Sequence, residues 1–452
     1  MLEADAGKKF GHFQSSMARY SSVRSKSARG WSIYVGAATF ASLLLLLIWC
    51  FVNLNPSKEP NDIDTFSIEE VVRGAAPFLR NDTEEVTFYD DPEVKFSLGA
   101  RIGGWDRKRE GWLRSHPTYA PRAKKRVVMV TGSQAKPCKN PIGNHFLLRA
   151  FKNKVDYCRI HGYDIFYDTV PLHSKMTGVW AKLPAVKAAM IAHPEAEWIW
   201  WMDSDALITD MEYEVPLDRY ERKAHNVVVQ GKSVEVFENK NWAGLKTGVF
   251  LIRNCQWSMD FLEKWAEMGP MNDKFPTLGP IQRSAFNEKG FLDPDDRTGL
   301  AYLLLEDPTI AEHVYLEEEY HLDGRWVDIV PSYSNISDMY DEIERGNSQL
   351  RRRHAEKVSL QYGAFREHQL RKAGNVGGDF RRPFVTHFTG CQPCTGPHNA
   401  LYKGLPCWDS IIRALNFADN QVLRTFGFIR PDLTDSETVV EVAFNYPDDG
   451  PW

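Results

Sequence analysis

Three short apolar runs, each handing over to a loop or a helical pattern, constrain the fold of this chain more than any other feature. Val127, Val128, Met129 and Val130 run into Thr131, Gly132 and Ser133. A run of that length ending in a Gly-containing turn reads as a buried strand feeding a loop. Residues 144–161 then carry helical spacing in Phe146, Leu147, Ala150, Phe151, Val155 and Cys158. Residues 163–167 read as a second strand, 179–193 as a second helix, and Trp198, Ile199, Trp200, Trp201 and Met202 as a third strand. Strand and helix alternating over short connections predict a mainly parallel α/β sheet. Ligands of such sheets bind at the carboxyl ends of the strands.

The third strand ends in Asp203, Ser204 and Asp205. On extended backbone, carboxylates at i and i+2 fall on one side, about 6–7 Å apart by strand rise. Two unpaired anions facing one way repel each other and need a cation, and hard carboxylate oxygens suit Mn²⁺, with Mg²⁺ as the alternative. Such an ion can bridge a diphosphate and neutralise the charge growing on it as it departs. The competing role for this triplet is an N-cap for a following helix.

The remaining segments set the context of that site. Residues 31–54 contain no charged side chain, and their centre, Leu43 to Ile48, is wholly aliphatic. At about 1.5 Å rise per residue, a helix of this length crosses a hydrocarbon core of about 30 Å. Lys8, Lys9, Arg19, Arg24, Lys26 and Arg29 precede the run, whereas Glu59, Asp62, Asp64, Glu69 and Glu70 follow it. Positive flanks stay cytosolic. Residues 1–30 therefore read as a cytosolic tail, 31–54 as a single transmembrane signal anchor, 55–100 as a stem and 101–452 as a lumenal domain of a type II membrane protein. The sequons at Asn81 and Asn335 agree with a lumenal glycoprotein. Six cysteines lie outside the span, enough for up to three disulfides, and Cys391 and Cys394 read as disulfide partners rather than zinc ligands. A net charge of −5, from 55 basic and 60 acidic residues, excludes a nucleic-acid partner. Residues 101–121 predict a helix carrying Trp105 and Trp112, and 338–373 a solvated amphipathic helix.

Several longer motifs follow one another in order: WIWWMDSDA (198–206), NWAGLKTGVFLIRNCQWS (241–258), PDDRTGLAYLL (294–304), RPFVTHFTGCQPC (382–394) and RALNFADNQVLRTFG (413–427). Together they resemble glycosyltransferase family 34, which includes plant xyloglucan xylosyltransferases and galactomannan galactosyltransferases. The segment LRRRHAEKVS (350–359) and Gln392, where the xylosyltransferase branch carries Lys, make the galactomannan branch the nearer one. The resemblance implies a GT-A fold, a Rossmann-like α/β sheet. It implies a retaining, Mn²⁺-dependent reaction with UDP-galactose as donor, and α-1,6-galactosyl branching of a mannan-type cell-wall polysaccharide. It further implies the Golgi membrane as the location. By position it makes Asp203, Asp205 and His387 the metal ligands. Thr131, Gly132, Ser133, Ser204, Gly390 and Gln392 become donor-binding positions, and Asp295 and Asp296 the catalytic acids beside the transferred sugar.

Two positions depart from the family pattern, and both exchange a neutral amide for a cation. Lys246 stands where the family has Asn, and Arg297 where it has Gln. A transition state of oxocarbenium type is positively charged, so cations beside it oppose it unless they face an anion. Three accounts stay open: the cations pair with Asp295 and Asp296, bind the diphosphate, or recognise an acidic sugar. Xylosyl transfer to xyloglucan, a weakly active or non-catalytic scaffolding member, and homo- or hetero-oligomers with other cell-wall glycosyltransferases also stay open.

Overall fold

The computed structural model describes residues 87–443, except 120–124, 288–293, 352–354, 373–380 and 395–405. These residues belong to one compact unit over 85–452. Among them no helix is long and apolar enough to cross a membrane. The expected anchor over 31–54, the cytosolic tail and the sequon at Asn81 lie outside the described residues.

The strands that build the site are β1 (Val127–Gly132), β2 (Asp164–Asp168), β3 (Trp198–Met202), β4 (Ala206–Ile208), β5 (Val227–Gly231), β6 (Leu245–Arg253), β7 (Val314–Glu317), β8 (Gly324–Arg325) and β9 (Val385–His387), with a separate antiparallel pair of Phe428–Ile429 and Val440–Glu441 near the end of the described residues. The principal helices are α1 (Trp105–Ser115), α2 (Pro141–His161), α3 (Lys182–Ala192), α4 (Gln256–Glu267), α5 (Phe275–Ala285), α6 (Asp296–Glu306), α7 (Tyr333–Gly346), α8 (Gln361–Lys372) and α9 (Cys407–Leu423). Six strands form the central sheet in the order β2-β1-β3-β6-β5-β7. All its strands run parallel except β6, which is antiparallel to both β3 and β5.

Apolar residues at every position, rather than at alternate ones, explain why this sheet is central. Val128, Val130, Ile199, Trp201, Phe250 and Ile252 pack into one core. Val127, Met129, Trp198, Trp200, Val249 and Leu251, which point the other way, pack into a second. A strand buried on both faces needs such a run. Helix α2 begins where Asn140 caps the Ile142 amide and Pro141 occupies the first turn, and it ends at Gly162 in the left-handed region, φ 72°.

The chain outside the sheet departs from the sequence-based expectations in two places. Phe88, Leu98 and Ile102 are buried in the first core, and Lys187 Nζ binds the carbonyls of Ser97 and Ala100 at 2.7 Å each. Residues 87–100, expected as stem, are thus packed on the domain. The helix expected over 338–373 is instead a set of shorter ones. Helix α7 stops at Gly346, with Asn347 extended, and α8 starts only at Gln361. It is not wholly solvated either, since Arg366 bonds Glu344 at 2.9 Å in a buried pair.

A second sheet of three short strands, in the order β4-β9-β8, sits at the carboxyl edge of the first. It pairs Ala206 with His387 antiparallel and Arg325 with His387 parallel. Residues some 180 positions apart in sequence meet there.

Candidate active site

Backbone pairing builds the site before any side chain does. The Asp203 amide donates to the Gly248 carbonyl at 2.8 Å, and the Ala206 amide to the Asp203 carbonyl at 3.1 Å. The second bond closes a turn over residues 203–206, so the triplet is bent rather than extended as the strand reading had it. It also leads into β4, which leaves no helix for it to cap. The turn is locked from behind by Lys154, whose Nζ donates to the carbonyls of Ala206 at 2.7 Å and Ser204 at 3.3 Å. Burial pushes the Lys154 pKa down to about 8 against the opposing pull of Asp205 and Asp203.

The bend turns both carboxylates toward His387 at the end of β9. His387 Nε2 lies 3.2 Å from Asp205 Oδ1 and 3.8 Å from Asp203 Oδ2. One ligand atom from each of the three residues falls within 4.8 Å of the others, an arrangement that can hold a metal ion. Gly248 closes the cradle: a Cβ there would lie 2.1 Å from His387 Cε1 and 3.0 Å from Asp203 Oδ2. Two carboxylates and an imidazole are a chemically sound donor set for Mn²⁺.

The supporting shell contains residues that sequence reasoning missed. His387 Nδ1 donates to Asp323 Oδ1 at 2.8 Å. Such a carboxylate fixes the tautomer that leaves Nε2 free to ligate. Burial opposes charge on this imidazole, but Asp323 and Asp205 outweigh it and hold its pKa well above the usual value. Lys182, at the start of α3, is 3% exposed, 2.9 Å from Asp296 Oδ2 and 3.5 Å from Asp203 Oδ1. It also donates to the Thr247 carbonyl at 2.9 Å. Burial lowers its pKa, yet Asp203 and Asp296 raise it above the ordinary lysine value. Asp203 itself is shifted up, chiefly by burial, against Lys182 and His387. The only hint of Lys182 in the sequence is a cation at the start of a largely apolar helix; Asp323 gives no hint at all.

The other expected site residues are placed as follows. Asp296 is buried against Lys182 and so belongs to the same charge network as Asp203. Asp295 instead caps α6, accepting the Thr298 amide at 2.8 Å. Thr131 is fully buried, and Ser133 Oγ accepts from the Tyr167 hydroxyl at 2.8 Å. Gly132 packs so closely on β2 that a Cβ would lie 2.5 Å from the Asp168 carbonyl oxygen. Gly390 and Gln392 both have positive φ, 86° and 43°. Their loop is held by disulfides Cys391–Cys407 and Cys138–Cys394, so Cys391 and Cys394 pair elsewhere and not with each other. A small cavity lined by Ser204, Asp205, Phe388 and Pro393 joins this loop to the acidic turn. Asn335 is exposed on α7.

Of the two departing cations, Arg297 pairs with Asp295, whereas Lys246 makes its hydrogen bond elsewhere. Lys246 Nζ donates to the Asp323 backbone carbonyl at 2.7 Å. Arg297 stacks 4.2 Å above the Trp242 ring and lies 3.7 Å from Asp295.

Known proteins resemble this chain over most of its length. Residues 123–398 match the profile of glycosyltransferase family 34, described as the galactosyl transferase GMA12/MNN10 family. Glycosyltransferase 6 of Arabidopsis thaliana is 54% identical over 412 residues, covering 90% of this chain and 94% of the relative. Galactomannan galactosyltransferase 1 of Cyamopsis tetragonoloba is 48% identical over 445 residues, 95% of this chain and 100% of the relative. Probable xyloglucan 6-xylosyltransferase 3 of Arabidopsis thaliana is 39% identical over 399 residues, 86% and 79% respectively.

Proposed function

The chain belongs to the galactosyl transferase GMA12/MNN10 family, and on that premise we propose that it transfers galactose from UDP-galactose, with retention, to 6-hydroxyls of a mannan-type polysaccharide. The observation that carries the reading is the convergence of Asp203, Asp205 and His387 at the carboxyl edge of the sheet. The sheet order and the acid-bearing turn after β3 support a GT-A arrangement. The identity to a galactomannan galactosyltransferase, higher than that to the xylosyltransferase, supports galactose.

Asp203, Asp205 and the neutral Nε2 of His387 would hold Mn²⁺ here. When bound, the ion supplies Lewis acidity that offsets the charge on departing UDP. Asp323 keeps the Nδ1 proton of His387 in place, so the ligating nitrogen faces the carboxylates. Lys182 ties Asp203 and Asp296 into one buried cluster. Asp296 is the acid we assign to stabilising positive charge on the sugar, because the Asp295 carboxylate is engaged as a helix cap. The two disulfides fit the oxidising lumen that the expected anchor and its charged flanks suggest, and the family resemblance makes that lumen the Golgi's.

The test is UDP release by the full-length protein with Mn²⁺ and a β-1,4-mannan oligosaccharide. UDP-galactose should be used at least about tenfold better than UDP-xylose, the discrimination one missing hydroxymethyl group can supply. A reversed preference overturns the galactosyl assignment and leaves the family membership standing.

A further inference from the structure

Strand β3 carries three tryptophans, and their indole N–H groups meet three different fates. An indole N–H can only donate, and a buried one ordinarily finds an acceptor. Trp198 Nε1 donates to Glu221 at 3.0 Å. Trp200 Nε1 is buried and has no hydrogen-bond partner among the described residues. Both of those rings belong to the second core. Trp201 points the other way, into the first core, and donates to Asp203 Oδ1 at 2.7 Å. Side chains at i and i+2 share a face of extended chain, so the strand itself aims this indole at the carboxylate that follows it. Packing alone does not call for a tryptophan here. Its register partner on β6, Phe250, fills the same core with a plain ring. What the indole adds is the N–H.

The bond separates the two oxygens of Asp203 by role. Oδ1 takes the Trp201 N–H and faces Lys182 Nζ at 3.5 Å. Oδ2 faces His387 Nε2 at 3.8 Å, and a Cβ on Gly248 would lie 3.0 Å from it. One oxygen is held by the protein and the other is turned into the cradle. An unheld carboxylate could swing about its terminal bond, whose torsional preference is broad, or offer both oxygens to an ion. Fixing Oδ1 removes both choices before an ion arrives, and hydrogen bonds of this kind to a ligating carboxylate tune metal affinity.

We propose that Trp201 is a positioning residue for the metal site: its indole N–H occupies Asp203 Oδ1, so that Oδ2 alone is presented to the ion. The inference rests on the metal-dependent transferase reading above, and it concerns Mn²⁺ affinity rather than the transfer step.

The experiment titrates Mn²⁺ into the full-length protein by calorimetry and repeats the titration on two variants. Trp201→Phe keeps an aromatic ring and removes the bonded N–H; Trp200→Phe removes the unbonded N–H of the adjacent residue. Trp201→Phe should weaken Mn²⁺ binding about 10–100-fold, with Trp200→Phe close to wild type. In UDP release, the Mn²⁺ concentration giving half the maximal rate should rise by the same factor in Trp201→Phe, while the rate at saturating Mn²⁺ changes far less. Unchanged affinity in a folded Trp201→Phe overturns the inference and leaves the transferase reading intact. Equal losses in the two variants also overturn it, because the effect would then be one of core packing. Should Trp201→Phe not fold, tryptophan fluorescence of the wild type decides. An indole beside a ligand oxygen should be quenched as paramagnetic Mn²⁺ fills the site, in step with the calorimetric curve, and binding without quenching overturns the inference. A wild type that binds no Mn²⁺ overturns the metal reading, and the inference with it.

Discussion

The six-stranded sheet and the three-stranded sheet are built from opposite kinds of information. The large sheet is assembled from apolar runs that announce themselves locally, and two cores grip its alternate side chains. The small sheet is assembled from strands of two or three residues, drawn from around 206, 324 and 386. It has too little apolar surface to specify itself. Its position is set by specific bonds: Asn153 holds both the amide and the carbonyl of Ile208, at 2.8 and 2.9 Å, and Tyr333 reaches the Thr386 hydroxyl at 2.7 Å. The acidic turn is the seam between them. One sheet provides a rigid platform; the other delivers His387 and Asp323 to it.

If the seam is where chemistry happens, changes there should be far costlier to function than changes within either sheet. The largest effect is expected from Asp205→Ala, which should slow metal-dependent UDP release by at least about 10²–10³-fold, read against Mn²⁺ concentration. Lys182→Met should come next, because it leaves Asp296 buried without its partner, at about 3–5 kcal/mol of unfolding stability. Denaturant melts check that value; a near-neutral result would mean that the Lys182–Asp296 contact does not hold this part of the fold together. Asp323→Asn should weaken Mn²⁺ binding about 10–100-fold by loosening the His387 tautomer, with calorimetry as the readout. Asn153→Ala probes the small sheet away from the seam, and should cost about 1–3 kcal/mol with Mn²⁺ affinity in the folded protein little changed.

The mildest expectation concerns pH. The folded pKa of His387 is raised, so in metal-free protein its ion pairs are fully present below the ordinary histidine pKa. That stabilisation is lost as pH rises through the raised value. Metal needs the neutral ring, so the melting-temperature gain on adding Mn²⁺ should grow with rising pH. A gain that is flat with pH would remove His387 from the ligand set.

What the sequence disclosed follows the same division. Strands β1 and β3 were legible because a strand buried on both faces must be apolar throughout, and Asp203 and Asp205 stood out at the end of one. The bend that brings them together was not legible, since the chain turns there to pair Ala206 with His387, far along the sequence. His387 was visible through motif resemblance alone; β9 is too short to show a period. Lys182 and Asp323 were missed for a related reason. Each matters through a partner remote in sequence, and a lysine opening a helix just before Leu183, Pro184, Ala185 and Val186 looks like an ordinary polar helix start. The break after Gly346 was likewise hidden, because the charge pattern of α7 and α8 continues across it.

The central claim is most directly tested by electron spin-echo spectroscopy of Mn²⁺ bound to the full-length protein. One stoichiometric ion should show modulation from a single directly coordinated imidazole nitrogen, lost in His387→Ala, with binding itself lost in Asp205→Ala. Stoichiometric Mn²⁺ binding without nitrogen modulation, or binding indifferent to Asp205→Ala, would contradict it.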